Sequence, residues 1–291
     1  MSGVEFVNLL INGLIEGLVV ALPALSMTLV MGVNRFPNAA TGDFMTTGAY
    51  AAVAVQLFTG QPLWAAAIGG AIVTALVSAG SYELIFRKLA NRPMVSSMLA
   101  AIGLGFLLRS LISFFAGHDQ RTFELPLVRA WNWGGVRVLP TDLAIAAVAA
   151  GCLAVVFVLL YRTSFGRQLR AIADSADLAR ASGIRARSLM FSLWLLVGAL
   201  SSTGGVLLGM KAVVAPELGW ESLIPAFAAM VLGGIGSPVG AVVGALVLCV
   251  AQELAAPVLG ASYKLVLSVG VMAIVLLLRP AGIMGRIQPV R

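Results

Sequence analysis

Charged residues are scarce in this chain. Only 11% of its 291 residues are Asp, Glu, Lys or Arg, whereas 60% are hydrophobic. A soluble domain carries about 25% charged and roughly 45–50% apolar residues, so this chain has too few polar side chains to cover a soluble core. Continuous apolar windows of about 20 residues, the length of a membrane helix, recur along it. We therefore predict an all-α polytopic membrane protein, and the unbroken apolar runs exclude a transmembrane barrel.

The residues that usually carry catalysis and metal binding are also few. His118 is the single histidine and lies in a loop, which argues against a Ser–His hydrolase and a histidine metal site. Cys152 and Cys249 lie in apolar segments, without the spacing of a disulfide framework or a metal site. No stretch reads G-x-x-x-x-G-K-[ST], so that nucleotide-binding loop is missing. We predict no enzyme, no metal and no bound cofactor; energy must come from an ion gradient or a partner protein.

What the chain does have is arginine in short loops. The net charge is +7, and only three of the 19 basic residues are lysines. Because basic residues in short loops mark the cytoplasmic side, we interpret the charge as a topology signal and not as a nucleic-acid site. The N terminus and the loop 116–140 then lie outside the cytoplasm. The segments placed inside contain Arg35, residues 87–92, residues 162–187, and the C-terminal Arg279, Arg286 and Arg291.

The apolar segments predict a bundle of about eight or nine transmembrane helices within one domain, residues 1–291. The segments are residues 9–33, 44–58, 63–86, 94–115, 143–161, 189–210, 223–232, 239–256 and 263–278. Segment 223–232 is short, so it either crosses the membrane or forms part of a broken helix. Gly233, Gly234 and Gly236 follow it, either as helix-packing positions or as backbone exposed to a path.

The longest polar run, residues 166–184, predicts a short basic helix over 167–182. Its apolar positions recur at helical spacing and form a narrow stripe of mostly small residues. Gly183 is a typical C-terminal stop. One interpretation is a docking surface that a partner approaches closely; the other is a solvated loop whose arginines only fix topology. The stripe contains Leu169, Ile172, Ala173, Ala176 and Ala179.

Ionisable residues within the apolar segments are the default functional candidates. Glu16 and Arg109 both fall in the outer halves of their segments, so we predict an ion pair between them. Glu253 falls near the outer end of its segment. Asp43 follows Asn38, Thr41 and Gly42, where it either caps a helix at the membrane surface or lines a pore or gate.

Four blocks of sequence, in order along the chain, resemble branched-chain amino acid ABC transporter permeases. Together they cover essentially the whole chain, and its length suits the shorter, H-type subunit. The blocks are Asn38-Ala39-Ala40-Thr41-Gly42-Asp43-Phe44 with Gly48-Ala49-Tyr50; Gly166-Arg167-x-Leu169-Arg170-Ala171-x-Ala173 with Ala179 and Gly183-Ile184; Val231-Leu232-Gly233-Gly234-Ile235-Gly236-Ser237 with Gly240-Ala241; and Arg279-Pro280-x-Gly282-Ile283-x-Gly285-Arg286.

The resemblance implies a permease subunit of an ATP-driven importer in the bacterial inner membrane. It implies four kinds of neighbour: a second, M-type permease, two ABC ATPase subunits that use ATP and Mg²⁺, a periplasmic substrate-binding protein, and membrane lipid. Residues 162–187 become the cytoplasmic coupling loop that contacts the ATPase. The implied coupling residues are Gly166, Arg167, Leu169, Arg170, Ala173, Ala176, Ala179, Arg180 and Gly183.

Two departures from the family pattern bear on the substrate. Ala39 and Thr41 stand where the family has Phe and His. If this block contacts the translocation path, the substrate need not be a branched-chain amino acid; relatives in the family carry other amino acids, urea, amides or small organic acids. The alternative function is an ion-driven secondary transporter with broken helices. That mechanism needs acidic residues deep in the bundle, whereas our topology places Glu16, Asp43 and Glu253 off-centre.

Overall fold

The computed structural model describes residues 3–90, 92–124, 129–133, 135–279 and 281–285. Pro280 and Arg286 of the C-terminal block, and the topology marker Arg291, lie outside the described residues. The helices are α1 (Gly3–Asn34), α2 (Ala40–Thr59), α3 (Leu63–Ser81), α4 (Arg87–Leu89), α5 (Met94–Ala116), α6 (Pro140–Arg162), α7 (Ser164–Asp174), α8 (Ala176–Ala181), α9 (Ala186–Lys211), α10 (Leu218–Gly233), α11 (Pro238–Leu259) and α12 (Lys264–Leu278).

The fold is that of a polytopic α-helical membrane protein, as predicted. In the part of the chain that is described, six helical stretches are long and apolar enough to cross a membrane. They are α1, α5, α6, α9, α11 and the continuous stretch Leu63–Leu89, which joins α3 to α4 through a π-helical turn at Tyr82–Phe86. The helices α2, α10 and α12 account for the remaining predicted segments.

The helices α1 and α9 form the centre of the bundle. The most apolar window of α1 is 72% buried and that of α9 is 61% buried, whereas the corresponding window of α5 is only 22% buried. Gly13 and Gly17 of α1 lie against the backbone of Val250 and Leu246 in α11. The two glycines are four residues apart, a small-xxx-small arrangement that allows close helix packing, and α1 and α11 run antiparallel through it.

Contacts group the loops into two ends of the bundle, as the arginine pattern predicted. At one end, the Arg137 amide donates to Asn8 Oδ1 (3.0 Å), and Arg121 forms a backbone bridge with Val214. A short antiparallel hairpin, β1 (Trp131–Trp133) and β2 (Val136–Val138), lies there, and we call this the hairpin end. Sequence patterns did not predict this hairpin.

The opposite end carries the basic segments, and we call it the α7 end. There the Arg35 guanidinium donates to the Ala173 carbonyl (3.4 Å), and the Ile283 amide donates to the Leu232 carbonyl (2.9 Å). Arg187 of α9 pairs with Glu83 (3.0 Å). Segments predicted to share one side of the membrane therefore do lie together. That the α7 end is the cytoplasmic one stays a prediction.

The helix α10 begins inside the bundle and not at the hairpin end. It has 16 residues and is about 24 Å long, shorter than the hydrocarbon core of about 30 Å. The Gly219 amide near its start donates to Thr46 Oγ1 (3.0 Å). Thr46 lies thirteen residues, about 20 Å of helix, before Thr59 at the C-terminal end of α2. The short segment predicted over 223–232 is thus a partial helix preceded by non-helical backbone, residues 212–217.

Candidate functional site

The first turn of α2 is buried and polar. Asn38 caps the helix: its Oδ1 accepts the Ala40 amide (3.2 Å) and its carbonyl accepts the Thr41 amide (3.2 Å). Asp43 is not a surface cap, since only 2% of its side chain is exposed. A block predicted to be a cap or a gate lining therefore lies inside the bundle, and its cap is Asn38.

Arg109 of α5 is the partner of Asp43. Its Nε and Nη2 both donate to Asp43 Oδ1, at 3.1 and 2.9 Å. Gly105, one turn earlier, leaves the room that the carboxylate fills, because a Cβ there would collide with it. Two charges removed from water are tolerated only when paired in this way.

Aromatic rings complete the surroundings of Arg109. The guanidinium carbon lies 4.8 Å from the ring centroid of Trp220 in α10 and 5.5 Å from that of Phe106 in α5. Such rings attract a cation through their quadrupole. Arg109 is therefore held from three helices, by a carboxylate from α2 and by rings from α5 and α10, with 15% of its side chain exposed.

The predicted pair between Glu16 and Arg109 is wrong. Glu16 instead pairs with Lys264 of α12 (3.3 Å), and Lys264 also pairs with Glu253 of α11. These three charges join α1, α11 and α12 near the hairpin end. The shared partner of Glu16 and Glu253 was missed, although Lys264 lies at the start of the next apolar segment.

Backbone contact brings α10 against the site. Gly42 of α2 and Gly219 of α10 touch so closely that a Cβ on either would overlap the other's carbonyl. The Gly219 amide donates to Thr46 one turn further along α2. The N-terminal end of α10, which carries a partial positive charge, thus lies beside the polar turn that contains Asp43. Half-helices that end inside a bundle are typical of transport paths.

Two polar atoms of this turn have no hydrogen-bond partner among the described residues. They are Asn38 Nδ2 and Thr41 Oγ1, and both side chains are fully buried. Buried polar groups without partners are rare and call for a specific explanation, such as a water or a ligand. This observation favours the path or gate role predicted for Asn38, Thr41, Gly42 and Asp43.

The predicted glycine cluster lies elsewhere. Gly233, Gly234 and Gly236 form the turn between α10 and α11 at the α7 end, about 21 Å along α10 from Gly219. The Gly233 carbonyl accepts the Met284 amide (2.9 Å), so this turn anchors the C-terminal segment. Gly234 and Gly236 both adopt positive φ angles. The structure therefore places these glycines in a turn and does not bring them to Asp43.

The predicted coupling helix is two helices. It breaks at Ser175, whose hydroxyl caps α8 by accepting the Leu178 amide (3.4 Å). Gly183 ends α8 as predicted: its φ is +82°, its amide donates to the Arg180 carbonyl, and the Ile184 amide donates to the Ala179 carbonyl. This is the Schellman arrangement that favours glycine.

Most of the predicted small apolar stripe faces the chain's own helices. Leu169, Ile172 and Ala179 are buried. Leu169 and Ala173 line a cavity of about 160 Å³ together with Gly32 of α1. The buried part of the stripe packs on α1, α6 and α9 and is not free to dock on another protein, whereas Ala176 is exposed. A periodic pattern cannot tell an internal partner from an external one.

The remaining coupling residues divide between internal contacts and solvent. Gly166 lies against the Leu160 carbonyl, and Arg170 donates to that carbonyl (2.8 Å), so both hold α7 onto α6. Arg180 pairs with Asp177 on the surface (2.7 Å). The exposed face of α7 and α8 contains Arg167, Ala176, Asp177, Leu178 and Arg180. Leu178 was not among the predicted coupling residues; it is 70% exposed despite being apolar.

The bundle is that of a multi-pass membrane protein, and its partial helix, which begins inside the bundle beside a buried ion pair, is typical of the transporter class. The family described as branched-chain amino acid transport system, permease component, matches residues 9–276, and the chain belongs to it. The resemblance seen in the sequence blocks is thereby confirmed.

Two relatives match over nearly their full length. The high-affinity branched-chain amino acid transport system permease protein BraD of Pseudomonas aeruginosa is 31% identical, covering 97% of this chain and 96% of that protein. The LivH permease protein of the corresponding system in Escherichia coli K12 is 30% identical, with the same coverage.

Among solved structures, PsaBC from Streptococcus pneumoniae in complex with Fab superposes with a TM-score of 0.51. The match covers 93% of this chain and 91% of that chain at 18% identity, so it supports the fold alone.

Proposed function

We propose that this chain is the membrane-spanning permease subunit of an ATP-driven importer for branched-chain amino acids or related small polar organic solutes. The observation that carries the proposal is the full-length similarity to permease proteins of branched-chain amino acid systems. The chain lacks a nucleotide-binding P-loop, so ATP and Mg²⁺ belong to partner subunits and not to this chain.

The assembly we propose has four further subunits in the bacterial inner membrane or at its surfaces. They are a second, M-type permease, two ABC ATPases and a periplasmic substrate-binding protein. The N terminus and the hairpin end face the periplasm, and the C terminus and the α7 end face the cytoplasm. The concentration of arginine at the α7 end supports this orientation.

We assign ATPase coupling to the exposed face of α7 and α8. Its centre is Leu178, an exposed apolar side chain between the charged residues Asp177 and Arg180. An apolar residue with a charged rim is a common arrangement at the centre of a protein interface. The buried stripe then has a different purpose: it fixes α7 to α1 and α6 and α8 to α9, so that a displacement of α8 is transmitted to the membrane helices.

We assign the path or gate to the polar turn of α2 and the start of α10. Asp43, Arg109 and Trp220 link three helices there, and two buried polar atoms are available for a solute or water. Because packed helices change between discrete arrangements, a small shift of α10 against α2 would open or close this point. Ala39 precedes the turn and Thr41 lies in it, so their departures from the family pattern affect substrate choice at this place.

The decisive experiment is uptake into proteoliposomes that contain the assembled transporter. We expect uptake of radiolabelled leucine, isoleucine or valine to require ATP on the α7 side and the binding protein on the other side. Ionophores that collapse ion gradients should leave the uptake unchanged. Uptake that proceeds without ATP and stops with the ionophore would instead establish an ion-driven secondary transporter.

A further inference from the structure

An apolar groove runs along the outside of the bundle from the α7 end. The floor is α9, and the walls come from α3 and α6, which both pack on α9. The volume is about 540 Å³, and the lining includes Ile72, Leu76, Leu159, Leu196 and Ala199. Ile72 and Leu76 are 56% and 60% exposed, so the groove is open to the surroundings of the bundle.

A second, polar groove continues the first one at the α7 end. Its volume is about 500 Å³, and it is lined by Ser164 and Gln168 of α7 and by Arg185 and Ser188 next to the start of α9. Phe165 and Ser192 line both grooves, so the two are continuous. The combined site is therefore apolar along the bundle and polar at its end.

The length of the site matches one leaflet of a bilayer. Ser188, in the polar groove, and Ala199, in the apolar groove, are eleven residues apart in α9, which corresponds to about 16 Å. Half of a typical hydrocarbon core is about 15 Å. A molecule that fills both grooves thus has a polar head at the membrane surface and an apolar tail that reaches the middle of the membrane.

The polar groove carries an uncompensated positive charge. The Arg185 guanidinium is exposed and has no hydrogen-bond or ion-pair partner in the part of the chain that the structure describes. The carboxylate of Glu83, at the same end of the bundle, is already engaged by both Arg87 (2.6 Å) and Arg187 (3.0 Å). Arg185 is therefore available to an anion from outside the chain.

We propose that these grooves bind one anionic glycerophospholipid, with an acyl chain in the apolar groove and the phosphate at Arg185. Basic pockets between membrane helices at the cytoplasmic side are suited to such head groups. The lipid would lie between α7 and α9, and it would stabilise the position of the segment that we assign to coupling. The binding itself does not depend on that assignment.

The test measures lipids retained by the purified, assembled transporter. The complex is released from nanodiscs of equal phosphatidylglycerol and phosphatidylcholine, and bound lipids are counted by native mass spectrometry. We expect the wild type to prefer phosphatidylglycerol and Arg185→Gln to reduce that retention about fivefold, the usual contribution of one basic residue near an anionic surface. Arg185→Lys should keep most of it, and Ala199→Phe, which fills the groove, should lower retention of both lipids.

The matched control is Arg92→Gln, an exposed arginine at the same end but outside the grooves. It should retain phosphatidylglycerol like the wild type. Equal loss in Arg92→Gln, or no loss in Arg185→Gln, would overturn the proposal. So would a disulfide between Leu76→Cys and a cysteine in the second permease, since it would show that a protein helix covers the groove.

Discussion

Arg109 shows how one residue can hold three helices together. Its Nε and Nη2 atoms donate to the Asp43 carboxylate, and its guanidinium plane contacts the rings of Trp220 and Phe106. Removing one partner of a buried pair is more damaging than removing both, because the survivor keeps its desolvation cost. Each single substitution of this pair should therefore be more damaging than the double substitution.

We expect Asp43→Asn and Arg109→Gln each to destabilise the assembled protein by about 3 kcal/mol, the usual cost of an uncompensated charge in such surroundings. The double variant should recover part of this loss. The measurement is the yield and melting temperature of the complex after size-exclusion chromatography. Full additivity of the two single effects would show that the residues are not energetic partners.

The second cluster should behave differently, because one lysine serves two carboxylates. Glu16→Gln leaves Lys264 paired with Glu253 and should cost about 1 kcal/mol or less, as for partly exposed ion pairs. Lys264→Gln leaves two carboxylates facing each other and should lower the melting temperature more. If the lysine variant is the milder one, Lys264 does not bridge α1 and α11.

At the scale of elements, the sequence predicted the helices well and their contacts poorly. Apolar runs placed the membrane segments, and Gly183 ended α8 where expected. Serine favours the N-cap position, so Ser175 was a signal for the break between α7 and α8. The apolar stripe that continues across Ser175 outweighed that signal and led to the prediction of one helix. The Glu16–Arg109 error arose because α5 packs mainly on α2 and not on α1, and periodicity does not contain that information.

The roles of the exposed and the buried face of α7 and α8 can be distinguished by substituting one leucine on each face. Leu178→Asp changes an exposed side chain, so it should leave assembly intact and abolish transport and substrate-stimulated ATP hydrolysis. Leu169→Ala changes a buried side chain and should lower the amount of folded protein, at a cost of about 2–5 kcal/mol. Uptake per assembled complex is the measurement. Normal uptake by Leu178→Asp would make this segment a topology loop only.

Gly183 offers a check on the helix end. Valine is β-branched and resists the left-handed conformation that this position adopts, so Gly183→Val should cost about 1–2 kcal/mol locally. Gly183→Asn tolerates that conformation and is the matched control. We expect lower coupled ATP hydrolysis in the valine variant at unchanged membrane insertion, and near-normal activity in the asparagine variant.

At the scale of the whole molecule, the contacts fix which loops share an end but not which end faces the cytoplasm. His118→Cys lies at the hairpin end and Asp177→Cys at the α7 end, and both positions are exposed. In intact cells, an impermeant thiol reagent should label the first and miss the second. The reverse pattern would invert the topology and remove the basis for the coupling assignment. Variants with both native cysteines replaced by alanine serve as the background.

The contact between Gly42 and Gly219 has a mechanical consequence. Side chains that interlock across a helix pair must change rotamers before the helices can move, whereas two glycines present a smooth surface to each other. At this point no side chains interlock, so we expect little steric resistance to a shift of α10 along α2. The hydrogen bond from the Gly219 amide to Thr46 Oγ1 would have to break before α10 could shift along α2. An alanine methyl group at either position would overlap the opposite carbonyl, and we expect it to block this movement without contacting the solute.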